Sequence, residues 1–395
     1  MKKAHYLLLF MLLLSQLACK KTTDDEPTGV LKSFEFRALK AIPTKDLGFV
    51  IVCDDRISRL DENGQLVWNK SFPELNLNPA IDSLSGLCEM SDGRIVVSGI
   101  RKRDMTAIQS EGSVLMLLLN KDGSNGATSF FEIPELHSES ASTVVQAIGS
   151  NDVAIIGNYK NKAGAPNLFC IKTKTNGTGF SLINNLIGDR GTPYFFIPNA
   201  LVTNSIGEFI VAGSYEQNRM LHGMHVRLDN QGHLLSVRPE SSETMSNFTA
   251  VVADNNSFVL MGKRNEGNNT EVNLNYAFSR IAPTGEALSY RYMGNAKQNH
   301  CIAGMKIEGG FAMLCFTNAN ESIVTDNKCY LSILKTDPEG VVVSEQAYGE
   351  NYQTMPMAFQ LHPDGSFSFL ALKNAYTNSE LLHTIYLHPK PNGKM

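Results

Sequence analysis

The sequence predicts an all-β chain: a seven-bladed β-propeller of four-stranded antiparallel blades. Three observations predict it: seven evenly spaced turn glycines, two hairpins per repeat, and chain ends that complement each other. A polar turn ending in glycine recurs at Asp61-Glu62-Asn63-Gly64, Lys121-Asp122-Gly123, Thr175-Asn176-Gly177 and Asp229-Asn230-Gln231-Gly232. It continues at Pro283-Thr284-Gly285, Asp337-Pro338-Glu339-Gly340 and Pro391-Asn392-Gly393. Successive glycines lie 59, 54, 55, 53, 55 and 53 residues apart, and a period of this size is that of a propeller blade.

Within each unit the elements follow in a fixed order. An apolar run such as Val114 to Leu119 leads into the turn, and a second strand-like segment such as Gln65 to Phe72 or Val341 to Gln346 leaves it. Upstream lies another hairpin, as where Ser91-Asp92-Gly93 opens onto Arg94 to Gly99, or Ile206-Gly207 onto Glu208 to Gly213. Two hairpins make four strands, with Gly, Asn and Asp supplying the positive φ of tight turns. No stretch sustains a period of 3.6, which excludes a helical solenoid. Gly99, Gly157, Gly213 and Gly262 recur after the second strand and read as points of close packing between neighbouring sheets. The last unit lacks a fourth strand, while Val30 to Phe36 precedes the first unit's own first strand. Pairing the N- and C-terminal segments therefore closes the ring and removes its open edges, giving a propeller over residues 30–395.

The first residues give an address. Lys2 and Lys3 precede the apolar run Leu7 to Leu14, which is too short to span a hydrocarbon core of about 30 Å and so reads as a signal peptide over 1–18. Ser15-Gln16-Leu17-Ala18-Cys19 resembles a lipobox, with apolar Leu17 and small Ala18 ahead of the cysteine, departing from it at Gln16 where leucine is usual. The resemblance implies cleavage before Cys19 and lipidation there, palmitate included, so that the membrane is a partner through the N-terminal lipid. Residues 19–29 are polar and charged and read as a flexible tether. Their order, Lys20-Lys21 and then Asp24-Asp25-Glu26, is similar to the surface-export signal of some Gram-negative lipoproteins. The expected location is the outer membrane, exposed at the cell surface.

Composition excludes some functions. Thirty-five basic against 39 acidic residues give a net charge of −4, the wrong balance for a nucleic-acid partner. Six cysteines remain besides Cys19, none in a C-x-x-C pair, and each sits in an apolar run, as buried thiols do. Cys315 and Cys329 flank one hairpin and are candidates for pairing in an oxidising compartment.

In a propeller the D–A and B–C connections gather on one face, and here they are the long, varied ones: 101–112, 264–275 and 318–327 of the B–C set, 73–83 and 188–199 of the D–A set. Binding residues concentrate on such loops. The candidate binding face holds Arg101, Lys102, Arg103, Arg190, Tyr194, Arg264, His300 and Tyr352. No catalytic residue is assigned: Gly-x-Ser-x-Gly, Walker and His-Glu-x-x-His patterns are absent. No metal is assigned either, because His222 and His225, three apart on a strand, face opposite ways. Asp61 to Trp68 resembles the Asp-box of sialidase-type propellers without its Ser-x-Asp-x-Gly spacing. The repeat as a whole is similar to that of quinoprotein-like bacterial propellers. That resemblance implies the fold alone, since Trp68 is the only tryptophan and the acidic cofactor ligands are missing; no cofactor is expected. Asp82-Ser83-Leu84, read as a D–A loop, resembles an O-glycosylation acceptor. The function expected is a monomeric, non-enzymatic module that binds a glycan, peptide or partner protein. The alternatives are a polysaccharide hydrolase or lyase and a structural subunit of an outer-membrane assembly.

Overall fold

The computed structural model describes residues 30–80, 82–102, 111–161, 165–189, 192–217, 220–239, 246–255, 257–265, 274–293, 298–318, 329–348, 354–373 and 383–389. The segments expected as signal peptide and tether, Cys19 among them, and the turn expected at Gly393 lie outside these residues.

The chain is a seven-bladed β-propeller, each blade a four-stranded antiparallel sheet. Strand β1 (Val30–Phe34) is set aside for the last blade. Blade 1 is β2 (Ala38–Pro43), β3 (Phe49–Cys53), β4 (Arg56–Leu60) and β5 (Leu66–Ser71). Blade 2 takes β6 (Asp82–Glu89), β7 (Ile95–Lys102), β8 (Glu111–Leu119) and the first part of β9 (Asn125–Ala147). The rest of β9 opens blade 3, with β10 (Asp152–Lys160), β11 (Pro166–Lys174) and β12 (Ser181–Leu186). A small hairpin, β13 (Gly188–Asp189) and β14 (Thr192–Pro193), leads to blade 4: β15 (Phe195–Thr203), β16 (Phe209–Gln217), β17 (Met220–Leu228) and β18 (Leu234–Pro239). Blade 5 is β19 (Ser246–Asp254), β20 (Ser257–Asn265), β21 (Leu274–Ile281) and β22 (Ala287–Met293). Blade 6 is β23 (Gln298–Ile307), β24 (Gly310–Asn318), β25 (Cys329–Thr336) and β26 (Val342–Tyr348). Blade 7 is β27 (Thr354–Leu361), β28 (Phe367–Lys373), β29 (His383–His388) and, as its outermost strand, β1.

The closure expected from the chain ends is present. Val30 pairs with His388 and Phe34 with Thr384. The inner strands touch in sequence around the axis, and β2 meets both β6 and β27, so the ring has no gap.

The core is divided among the seven blade interfaces, one apolar cluster at each. This explains the unbroken apolar runs of the second strands. In β7, Ile95 and Val97 pack toward blade 1 while Val96 between them packs toward blade 3. A strand buried on both faces has no polar side to show.

Three expectations need correction. The recurring glycines lie within the second strand, and what excludes a side chain there is the same blade, not its neighbour. A Cβ on Gly99 would stand 2.1 Å from the Ser83 carbonyl oxygen, and one on Gly213 2.0 Å from that of Ile197. Both positions face a β-bulge of the first strand, between Leu84 and Gly86 and between Pro198 and Ala200, where the extra residue bends the backbone toward its partner. Second, segments expected as D–A loops are partly strand. β9 runs continuously from blade 2 into blade 3, residues 188–199 hold the β13–β14 hairpin and the start of β15, and Asp82-Ser83-Leu84 opens β6 with Asp82 buried. Third, Cys315 and Cys329 do not oppose each other. The register sets Ser332 across from Cys315 and Asn318 across from Cys329. Cys315 is a free thiol beside Cys301, and burial holds its pKa well above the usual thiol value.

Candidate functional site

The inner strands enclose an axial cavity of about 460 Å³. All seven contribute to its wall, largely with Ile42, Leu87, Val145, Leu201, Val251 and Met357, together with small residues such as Gly86, Ala200, Ala250 and Ala303. The bulges govern its polarity. Ser85, Asn199 and Thr249 are bulge residues whose side chains stitch one inner strand to the next. The Ser85 hydroxyl bonds with that of Thr143 at 3.0 Å, Asn199 Nδ2 donates to the Phe248 carbonyl at 2.8 Å, and Thr249 Oγ1 to that of Cys301 at 2.9 Å. These polar groups are therefore already satisfied within the wall.

Lys40 breaks the pattern. It follows the bulge of blade 1, at the register position that Gly86, Val144, Ala200, Ala250, Ala303 and Ala358 hold in the other blades. It is the only ionisable side chain among the described residues lining the cavity. Among the described residues no hydrogen bond or ion pair reaches its ammonium, and burial lowers its pKa from the usual lysine value. The side chain is half-buried, open to the cavity and enclosed by protein around it. Sequence reasoning missed this residue.

The rim is built from the ends of second strands, where, among the described residues, a cation lies over an aromatic ring in three blades. The Arg101 guanidinium sits 4.1 Å from the centre of the Phe130 ring, Lys160 Nζ 4.6 Å from that of Phe195, and Arg264 4.3 Å from that of Tyr292. Arg101 also grips buried Asp82 through two bonds of 2.6 and 2.7 Å. Arg264 donates to the Tyr292 hydroxyl, and its Nε has no partner among the described residues.

Of the other candidate residues, Tyr194 packs at 4.6 Å on Tyr215, and His300 stacks at 4.5 Å on Phe316. Lys263 Nζ donates to His300 Nδ1 at 3.2 Å, joining blades 5 and 6. Lys102 ends β7. Arg103, Arg190 and Tyr352, like Cys19, lie outside the described residues. The structure thus links Arg264 and His300 through adjacent Lys263 and leaves Arg101 and Tyr194 in separate blades. His222 and His225 are both buried and face opposite ways: His222 lies against Tyr215, and His225 Nε2 donates to the Gly285 carbonyl of the next blade. Among the described residues no group of three His, Cys, Asp or Glu is placed to hold a metal.

Acid should weaken the propeller through these imidazoles. Burial pushes His225 down to about 4, and burial with the Lys263 charge does the same to His300. Unfolded, each titrates near about 6.5. Between those values the unfolded chain binds more protons, so stability is full above about 6.5 and falls as the pH drops toward about 4. The melting temperature is expected to decline across that window, and less steeply in His225→Gln. An unchanged slope in that variant would exclude His225 as a cause.

The fold and its axis define a seven-bladed β-propeller with an apolar central cavity and a cation–aromatic rim. Comparisons place it in broad company. A lectin from Burkholderia pseudomallei is 11% identical, with 88% of this chain and 99% of that one covered at a TM-score of 0.52. The WD40 domain of Neurospora crassa Pan2 is 10% identical, covering 92% and 97%, at 0.49. A Hadza microbial sialidase is 10% identical, covering 88% and 74%, at 0.48. No family model and no curated protein matches the chain.

Proposed function

We propose that this chain is an exported lipoprotein, held at the outer membrane through Cys19, that acts as a non-enzymatic binding module for a glycan, peptide or partner protein. The observation that carries the reading is the set of cation–aromatic pairs at the ends of β7, β10 and β20. Such a pair offers a flat apolar surface and charged donors together, which suits ligands with both ring faces and polar groups. Phe130 remains 41% exposed beneath Arg101 and is free to be covered. The similar lectin shares only the fold, so it supports a propeller as the platform and leaves the ligand open. A glycosidase would need two facing carboxylates, and none of the described residues lining the axial cavity is a carboxylate.

Glycan and peptide arrays probed with the soluble fragment from Lys20 test the reading. A specific signal, reduced in Arg264→Ala, is expected; silence on both arrays overturns it. For the anchor, Cys19→Ser should move the protein from the membrane to the soluble fraction, and retention at the membrane would refute lipidation.

A further inference from the structure

We propose that the axial cavity is a second binding site, separate from the rim, for a small amphipathic anion whose single carboxylate meets Lys40 and whose apolar body lies on the aliphatic wall. The cavity of about 460 Å³ falls in the size range of small-molecule sites. Its chemistry narrows the ligand from three sides. A neutral apolar compound would cover Lys40 and leave its ammonium without a partner, an unfavourable burial. A polyanion would bring several negative charges to one cation in apolar surroundings. A sugar would need many free donors and acceptors, whereas Ser85, Asn199 and Thr249 are committed to the wall. One carboxylate on an apolar chain answers all three: it gives Lys40 a charge-assisted hydrogen bond and buries its tail against Ile42, Leu87, Val251 and Met357. The placement of the amine supports the same reading. Six blades carry glycine, alanine or valine at the equivalent position, so packing of the ring does not require a lysine there. Burial lowers its pKa, and no carboxylate stands among the described residues lining the cavity, as for an amine awaiting an anion.

Calorimetric titration of the full chain carrying Cys19→Ser, which removes the acylation site, with octanoate and with 1-octanol tests this. Octanoate is expected to bind at one site about tenfold or more tightly than octanol, the factor that a hydrogen bond to a charged group supplies. Lys40→Met, close in length and apolar, should lose that advantage while keeping the octanol affinity, and Lys40→Arg should retain most of it. Equal binding of the two probes by the unaltered cavity, or no heat from either, overturns the proposal without recourse to any variant. So does undiminished octanoate binding by Lys40→Met. The rim reading is judged by the arrays alone, and so the two stand or fall separately.

Discussion

Gly262→Val is expected to destabilise the propeller by about 3 kcal/mol or more, the upper end of what overpacking costs, read as a lowered urea midpoint. A Cβ at Gly262 would sit 1.9 Å from the Asn247 carbonyl oxygen and 2.9 Å from the Phe248 Cα. Both are backbone atoms of β19, so no side-chain rotation relieves the overlap. Either the strands separate, losing ladder bonds beside the bulge between Phe248 and Ala250, or β19 moves inward. The second route presses on the bulge residue Thr249, which stitches β19 to β23 through the Cys301 carbonyl. Gly309→Ala is the control. Open space surrounds Gly309, but its φ is +76°, so it should cost only the left-handed backbone penalty of about 1 kcal/mol. Equal losses at the two sites would show that conformation, not space, keeps glycine at 262.

Why the turn glycines were legible and the bulges were not follows from where each finds its partner. Gly123 has positive φ and also rests on the ring of Trp68 in the preceding blade, 2.6 Å from where its Cβ would be. Two local demands on one residue leave a mark that repeats around the ring. The second strands were legible because burial on both faces makes them largely apolar, as in β3 and in Ile95 to Val97 of β7. A bulge, by contrast, adds one residue to a strand without disturbing its composition. The residue opposite it is small in six blades (Cys53, Gly99, Gly213, Gly262, Cys315 and Ala371), while in blade 3 the register shift lies past Gly157, between Asn158 and Lys160. Yet the obstacle at the clearest of these glycines is a carbonyl on another strand, which the run of residues cannot display. The merger of blades 2 and 3 through β9 was hidden for a similar reason, since a connection that keeps pairing resembles any polar strand.

The rim and the cavity differ in the same way. Arg101 and Arg264 were visible as charges at the ends of apolar runs, but their aromatic partners lie on strands distant in sequence. Lys40 was concealed by loop length. It stands 24 residues before its turn glycine, whereas its counterparts stand 32 to 37 before theirs, because the connection after β3 in blade 1 is short. Counting from the turns therefore misaligns it. Only the strand register reveals a lysine where the other blades carry small or aliphatic residues.

Tyr386→Ala is expected to cost about 3–5 kcal/mol, the range for removing a large buried aromatic side chain, and to loosen the ring at one seam. Tyr386 lies in β29, between the N-terminal strand β1 on one side and β28 on the other, and it is fully buried. Its ring packs edge-on to Phe49 of blade 1, with centroids 6.1 Å apart, and lies beneath Gly64. Its hydroxyl donates to the Glu62 carbonyl at 2.5 Å. One side chain thus joins the last blade to the first blade's turn, as Trp68 joins blade 1 to blade 2 by donating to the Lys121 carbonyl. The two joints differ in what lies behind them. Blades 1 and 2 are also linked by continuous chain, whereas β27 to β29 are held to blade 1 by pairing with β1, which runs on into β2, by the Thr384 bonds to Phe36 and Ala38, and by this apolar cluster. Tyr386→Phe separates the components: it keeps the ring and should lose about 1 kcal/mol for the hydrogen bond. Hydrogen exchange should then locate the damage, with Tyr386→Ala raising exchange in β1, β2 and β29 while β15 to β18 stay protected. Uniform exchange across all blades would mean that the ring opens as one unit and that this seam is no weaker than the others.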